Sequence, residues 1–113
     1  MPHNNKDSMI SHSEPLGLSS LAACQDGAIV SRMILEKPGG SVTVFSFDKG
    51  QGLSEHTAPF DALVQVIEGQ AEIIIDGIPH PVSEGEVILM PANVPHAVRA
   101  PERFKMLLTM IKA

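Results

Sequence analysis

The sequence consists largely of short apolar segments, most of them separated by glycine or proline residues. No long helical stretch lies between these segments. The segments span residues 28–36, 41–48, 61–67, 70–75, 78–82, 87–90, 96–100 and 104–111. In residues 41–48, strand alternation places Val42 and Val44 on one face and Phe45 and Phe47 on the other. About nine short strands with turns between them predict an all-β sandwich or closed barrel.

Two local patterns refine this prediction. Asp76-Gly77 is typical of a two-residue hairpin turn, because glycine accepts the positive φ that such turns require. The strand after it contains Pro79 and Pro81, which donate no backbone hydrogen bond, so we expect a short or edge strand. Residues 16–25 have room for one helical turn.

The chain has 113 residues, which is the size of one domain. Residues 1–14 are polar and lack periodicity, so we predict a flexible N-terminal tail followed by a single domain over residues 15–113. A lone cysteine, Cys24, excludes an intrachain disulfide and favours a cytoplasmic setting. No apolar run reaches the roughly 20 residues of a membrane span.

The charge balance bears on partners. The formal net charge is −5, whereas nucleic acids and anionic membranes require a basic face. We therefore expect neither a nucleic-acid partner nor a membrane partner. Ordinary solubility explains the acidic balance.

His56 and His96 are the candidate functional residues. They lie forty residues apart, each near a predicted strand start, and strand ends converge at the mouth of a closed β-structure. Imidazole is the commonest side-chain metal ligand, but stable iron or zinc sites usually have three or four protein ligands. The alternative is that both are rim residues bonded to backbone or water. Ser54-Glu55-His56 forms no catalytic relay, because neighbours on a strand face opposite ways.

Residues 50–69 and 85–100 resemble the two motifs of the cupin superfamily, G-x5-H-x-H-x(3,4)-E-x6-G and G-x5-P-x-G-x2-H-x3-N. The matching positions are Gly50, His56 and Gly69 in the first motif and Gly85, Pro91 and His96 in the second. The resemblance covers about residues 28–111. It implies a double-stranded β-helix, or jelly-roll barrel, as the all-β fold.

The departures from the motifs concern the metal ligands. Ala58 stands at the second histidine position and Ala62 at the glutamate position, so half of the ligand set that the resemblance implies is missing. No cofactor is therefore certain. The candidate is a divalent transition metal, Fe, Zn, Mn or Ni, held by His56 and His96. Asn93 replaces an inner glycine, and asparagine also tolerates positive φ.

Period-two counting predicts the pocket wall. If Ala62 points inward, so do Val64 and Val66. The predicted ligand-binding residues are His56, Ala58, Ala62, Val64 and His96. These small inward residues either leave a pocket or simply fill the core. Four methionines, at positions 33, 90, 106 and 110, are further lining candidates, although methionine more often fills gaps.

Three functions follow as hypotheses. The first is a cupin barrel that binds a small, largely apolar molecule in its mouth near His56 and His96, with weak or no metal. The second is a metal-dependent enzyme of the dioxygenase or isomerase type with those histidines as ligands. The third is a dimeric structural or regulatory module without chemistry. Because residues 104–111 are apolar on both faces, we also predict a homodimer that covers the outer face.

Overall fold

A computed structural model describes residue 10 and residues 13–112, so most of the predicted tail, residues 1–14, lies outside the described residues. Within that part the chain forms a 3-10 helix at Ser19–Leu21 and nine strands. The strands are β1 (Ile29–Lys37), β2 (Gly40–Phe47), β3 (Gly52–His56), β4 (Asp61–Glu68), β5 (Gln70–Ile75), β6 (Ile78–Ser83), β7 (Val87–Met90), β8 (His96–Arg99) and β9 (Phe104–Ile111). No helix among these residues is long and apolar enough to cross a membrane.

The strands form two sheets that pack face to face. The larger has the order β1-β2-β9-β4-β7 and the smaller has the order β3-β8-β5-β6. The paired strands are antiparallel, and β9 lies between β2 and β4. The short connection of residues 100–103 leads to it from β8 in the smaller sheet. This confirms the predicted all-β class and the jelly-roll architecture.

The core lies between the sheets and follows strand alternation. In β4, Ala62, Val64 and Val66 are buried and the intervening residues face outward, as predicted. The stacked rings of Phe47 and Phe104, with centroids 4.5 Å apart, fill one end of the core. Burying one such side chain contributes about 1.5–3 kcal/mol to the free energy of unfolding.

The β5–β6 hairpin confirms the turn prediction. Asp76 and Gly77 have φ values of 52° and 78°, as a type I′ turn requires. In the part of the chain that the structure describes, strand β6 lies at the edge of its sheet and pairs with β5 alone. Pro79 and Pro81 therefore break few ladder hydrogen bonds.

The segment before β1 covers part of the outer face of the larger sheet. The Ser46 hydroxyl, fully buried, donates to the carbonyl of Ala22 at 2.8 Å. Lys105 Nζ donates to the carbonyl of Ser19 at 2.6 Å. The chain itself thus supplies some of the cover that an apolar outer face needs.

Asp48 joins this N-terminal segment to the loop before β9. The Gly27 amide donates to Asp48 Oδ2 at 2.6 Å, and Arg103 Nε donates to Oδ1 at 2.7 Å. Arg103 also bonds Asp26. The Gly27 amide first, and then Arg103, lower the pKa of Asp48 from 3.8 to about 2. The carboxylate is therefore more strongly stabilised in the folded chain than in the unfolded chain.

We expect this depressed pKa to make the protein lose stability in acid. Its contribution is complete above pH 4 and disappears as the pH falls towards 2, because protonation then removes the charged acceptor. In guanidinium titrations at pH 5 and pH 2.5, Asp48→Asn should lower the unfolding free energy mainly at pH 5. Glu84→Gln, at an exposed turn, is the control. Equal losses at both pH values for Asp48→Asn would contradict this expectation.

Candidate functional site

Two neighbouring strands bring the two histidines together. His56 ends β3 and His96 begins β8, and because these strands are antiparallel the two residues pair directly in the ladder. Their ring centroids are 4.3 Å apart and their Nε2 atoms 3.1 Å apart. The prediction that they share one hollow is confirmed, but the expected position of His56 at a strand start is wrong. It lies at a strand end, where an antiparallel partner begins.

A β-bulge in β3 sets the direction of His56. Leu53 pairs with Val98 and His56 with His96, so three steps along β3 match two along β8. The extra residue brings Leu53 and His56, which regular alternation would place on opposite faces, to the same side. The bulge therefore turns the imidazole towards the space between the sheets.

Backbone carbonyls define the tautomers of both rings. His56 Nδ1 lies 2.8 Å from the carbonyl of Ser54, and His96 Nδ1 lies 3.2 Å from that of Val94. A carbonyl oxygen only accepts, so we assign the proton of each neutral ring to Nδ1. Both Nε2 lone pairs then face one another. Such a contact is favourable only with a shared proton or a cation between the two nitrogens.

A small cavity lies beneath this pair. Its volume is about 60 Å³ and its walls are almost wholly apolar. His96 is buried and His56 is exposed, so His56 marks the mouth. The lining residues are Leu53, His56, Ala58, Ala62, Met90, His96, Val98, Met106, Leu108 and Met110.

The predicted site residues divide into two groups. His56, Ala58, Ala62 and His96 line the cavity, whereas Val64 does not. Val64 faces inward as expected, but it lies two residues deeper along β4 and is fully buried in the core. Successive inward-facing residues of a strand lie at increasing depth in the barrel, and only those near the end of the strand line its mouth.

Sequence reasoning missed the rest of the wall. Leu53 was not predicted, because the alternation of side-chain directions is interrupted at the bulge. Val98 and Leu108 line the cavity too, but their sequence pattern is that of ordinary core residues. The methionine candidates proved unequal. Met90, Met106 and Met110 line the cavity, while Met33 lies outside it and its sulfur accepts a hydrogen bond from Thr43 Oγ1 at 3.4 Å.

Nearby carboxylates do not complete a metal site. Asp61 Oδ1 accepts a hydrogen bond from the Ala92 amide at 2.9 Å, which occupies it away from the cavity. Within residues 13–112 no group of three or more His, Cys, Asp or Glu side chains is placed to hold a metal ion. Among these four residue types, the cavity therefore offers two imidazoles.

A larger hollow exists but contains no comparable chemistry. It is an open groove of about 470 Å³ along β3 and β8. Its charged residues, Glu72 and Arg99, lie 3.9 Å apart as an exposed ion pair, an interaction of little energetic value. The smaller cavity, with its converging imidazoles, remains the candidate site.

Comparison with known proteins agrees with this architecture. Residues 43–112 match the model of the cupin domain family. A conserved protein of unknown function from Streptococcus pyogenes is 38% identical, with a TM-score of 0.90 and 96% of each chain covered. A cupin 2 conserved barrel domain protein from Leptotrichia buccalis is 44% identical with a TM-score of 0.84, over 86% of this chain and 47% of that one.

A curated relative gives a shorter match. Protein SchB from Streptomyces halstedii is 37% identical over 51 residues, which are 44% of this chain and 37% of SchB. The family model spans more than half of the chain, and the structural matches extend over nearly all of it. The chain therefore belongs to the cupin family.

Proposed function

We propose that the protein binds a small, largely apolar molecule in the mouth of its barrel, next to His56 and His96, with weak or no binding of Fe, Zn, Mn or Ni. The observation that carries this proposal is the apolar cavity whose polar edge is the imidazole pair. Ligand pockets commonly combine an apolar wall with a few oriented polar groups.

The size of the cavity limits its occupant. A volume of about 60 Å³ is well below the roughly 300–1,000 Å³ of pockets that enclose a drug-sized ligand. The inserted part of the ligand therefore has only a few heavy atoms, and the rest extends outward past His56. A hydroxyl or carboxylic acid group suits the imidazoles, because its proton can lie between acceptor nitrogens that otherwise face each other.

The test is binding of phenol compared with toluene, which has the same ring but no hydroxyl. We expect phenol to raise the melting temperature and toluene to do so less. Ala62→Leu fills the cavity and should remove the phenol effect. Gln65→Leu, on the outer face of the same strand, is the matched control. Ala58→Leu at the rim repeats the test should Ala62→Leu misfold. A phenol effect unchanged in both cavity variants would overturn the proposal.

The second candidate is a metal-dependent cupin enzyme of the dioxygenase or isomerase type. It is favoured by the facing Nε2 lone pairs, each presented by an Nδ1–carbonyl bond as in metal-binding histidines. The donor set does not fit the metal that the family implies, because alanines occupy two of the four ligand positions. No reaction step is therefore derived through such a metal. Stoichiometric Fe, Zn, Mn or Ni in protein purified without chelator, lost in His56→Ala or His96→Ala, would favour this candidate.

We also propose a homodimer formed through the uncovered part of the larger sheet. Leu63 and Leu89 pair across β4 and β7, and both are exposed, as are Val87 and Ile111 nearby. Burying such side chains contributes about 1.5–3 kcal/mol each. Sedimentation at micromolar concentration should give a dimer that Leu89→Lys dissociates. Ile78→Lys, in the smaller sheet, should remain dimeric, and a monomeric parent would contradict the proposal.

A further inference from the structure

The wall opposite the histidines contains two methionines, one on either side of Ala62. Ala62 pairs with Met90 on one side and with Met110 on the other, so the three side chains stand abreast on the inner face of the larger sheet. All three line the cavity that His56 and His96 close. The position of the absent glutamate is thus flanked by two thioethers.

These donors are soft and uncharged. Thioethers prefer soft ions such as Cu(I), whereas carboxylates suit harder ions. Among the described residues no carboxylate lines the cavity, so a divalent ion would bring two uncompensated charges into an apolar space. The free energy needed to remove an ion from water rises with the square of its charge. Burying a monovalent ion is therefore much less unfavourable.

The imidazole geometry suits one small ion. Two nitrogens 3.1 Å apart can both lie about 2.0–2.1 Å from one ion, with an angle of about 100° between the bonds. Each Nδ1 proton is already donated to a backbone carbonyl, which leaves Nε2 free to coordinate. A cavity of about 60 Å³ has room for an ion at this point.

We propose that this cavity is a Cu(I) site with two nitrogen and two sulfur ligands, His56 Nε2, His96 Nε2 and the thioethers of Met90 and Met110. The inference goes beyond the proposed function, which concerns an organic molecule. It follows from the residues around Ala62: the carboxylate that the family places there is absent, and two neutral, soft thioether side chains flank the position.

The test uses methionine labelled with ¹³C at the ε-methyl, and Ag(I) as a substitute for Cu(I) that air does not oxidise. We expect one equivalent of Ag(I) to shift the signals of Met90 and Met110, while Met33 stays unmoved. Zn(II) at the same concentration should shift none of these signals. Shifts confined to Met1 and Met9 would place the ion on the N-terminal tail and overturn the proposal.

Affinity for Cu(I) is measured by competition with bicinchoninate under ascorbate, without oxygen. Met90→Leu with Met110→Leu conserves volume, so the fold should persist while the affinity falls roughly a hundredfold. Met33→Leu is the matched control and should leave the affinity unchanged. If the double variant keeps the parent's affinity for Cu(I), the methionine sulfurs are not ligands. If His96→Ala keeps it, the ion does not bind in this cavity.

The outcomes separate this inference from the proposed function. If phenol stabilises the protein through the cavity but Ag(I) leaves Met90 and Met110 unmoved, the ion site fails and organic binding stands. If Ag(I) shifts those signals but phenol has no effect, the reverse holds. If both bind, we expect them to compete, because the cavity is too small for both.

Discussion

Replacing Gly69 by alanine should destabilise the protein by roughly 4 kcal/mol, enough to lower its melting temperature by about 15–25 °C. Gly69 has a φ of 76°, and a Cβ there would lie 2.3 Å from the carbonyl oxygen of Arg103 and 3.0 Å from the Cβ of Phe104. Neither neighbour can yield easily, since one is backbone and the other begins β9 in the core. Guanidinium unfolding at 25 °C measures the loss.

Gly77 provides the matched control. Its φ of 78° is nearly the same, but no atom lies within 4 Å of where its Cβ would be. Gly77→Ala should therefore cost only the left-handed backbone penalty, about 1 kcal/mol. The difference between the two variants isolates the clash with Arg103. Equal losses would mean that β9 shifts freely, which would contradict the tight contact at the end of β4.

Restoring the two absent ligands should create a strong site for divalent metals. We expect Ala58→His with Ala62→Glu to bind Ni(II) or Zn(II) at micromolar concentration or below, where the parent binds weakly. Both alanines line the cavity, so the new side chains enter the space beside His56 and His96. Without metal the buried glutamate should destabilise the variant, and metal should reverse this loss.

The measurement is the metal dependence of unfolding. At a metal concentration a hundred times the dissociation constant, the expected stabilisation is about 2.7 kcal/mol. Ala58→Gln with Ala62→Gln has similar bulk without the imidazole and the carboxylate, and it should not respond. If metal stabilised the parent by the same amount, two imidazoles would be enough to bind it. This outcome would contradict the expectation that the two absent ligands limit divalent-metal binding.

Much of the fold was predictable because local patterns and tertiary packing agree. The alternation in β4 correctly oriented Ala62, Val64 and Val66, and Asp76-Gly77 correctly marked a hairpin. Asn93 adopts a φ of 66°, as expected of a residue that replaces glycine in a turn. In the two turns the residues' own stereochemistry favours the backbone conformation, and in β4 the apolar alternation matches the face that the fold buries.

The site was less predictable because it depends on register and volume. The bulge in β3 changes which side chains share a face with His56, and no residue type marks its position. Val64 has the correct orientation but the wrong depth, since counting along one strand does not locate the end of the cavity. The roles of Met90 and Met110 emerge only when β7 and β9 are placed on either side of β4.

The single ladder step that pairs His56 with His96 has a consequence for how the molecule opens. Strand β3 lies at the edge of the smaller sheet and, within residues 13–112, pairs with β8 alone. We therefore expect it to be among the first segments to detach. A ligand bound between the two imidazoles would link β3 to β8, although His56 and His96 are forty residues apart in the chain. A bound ligand would then oppose the detachment of β3 from β8. The rate at which the barrel rim opens would therefore depend on the ligand concentration.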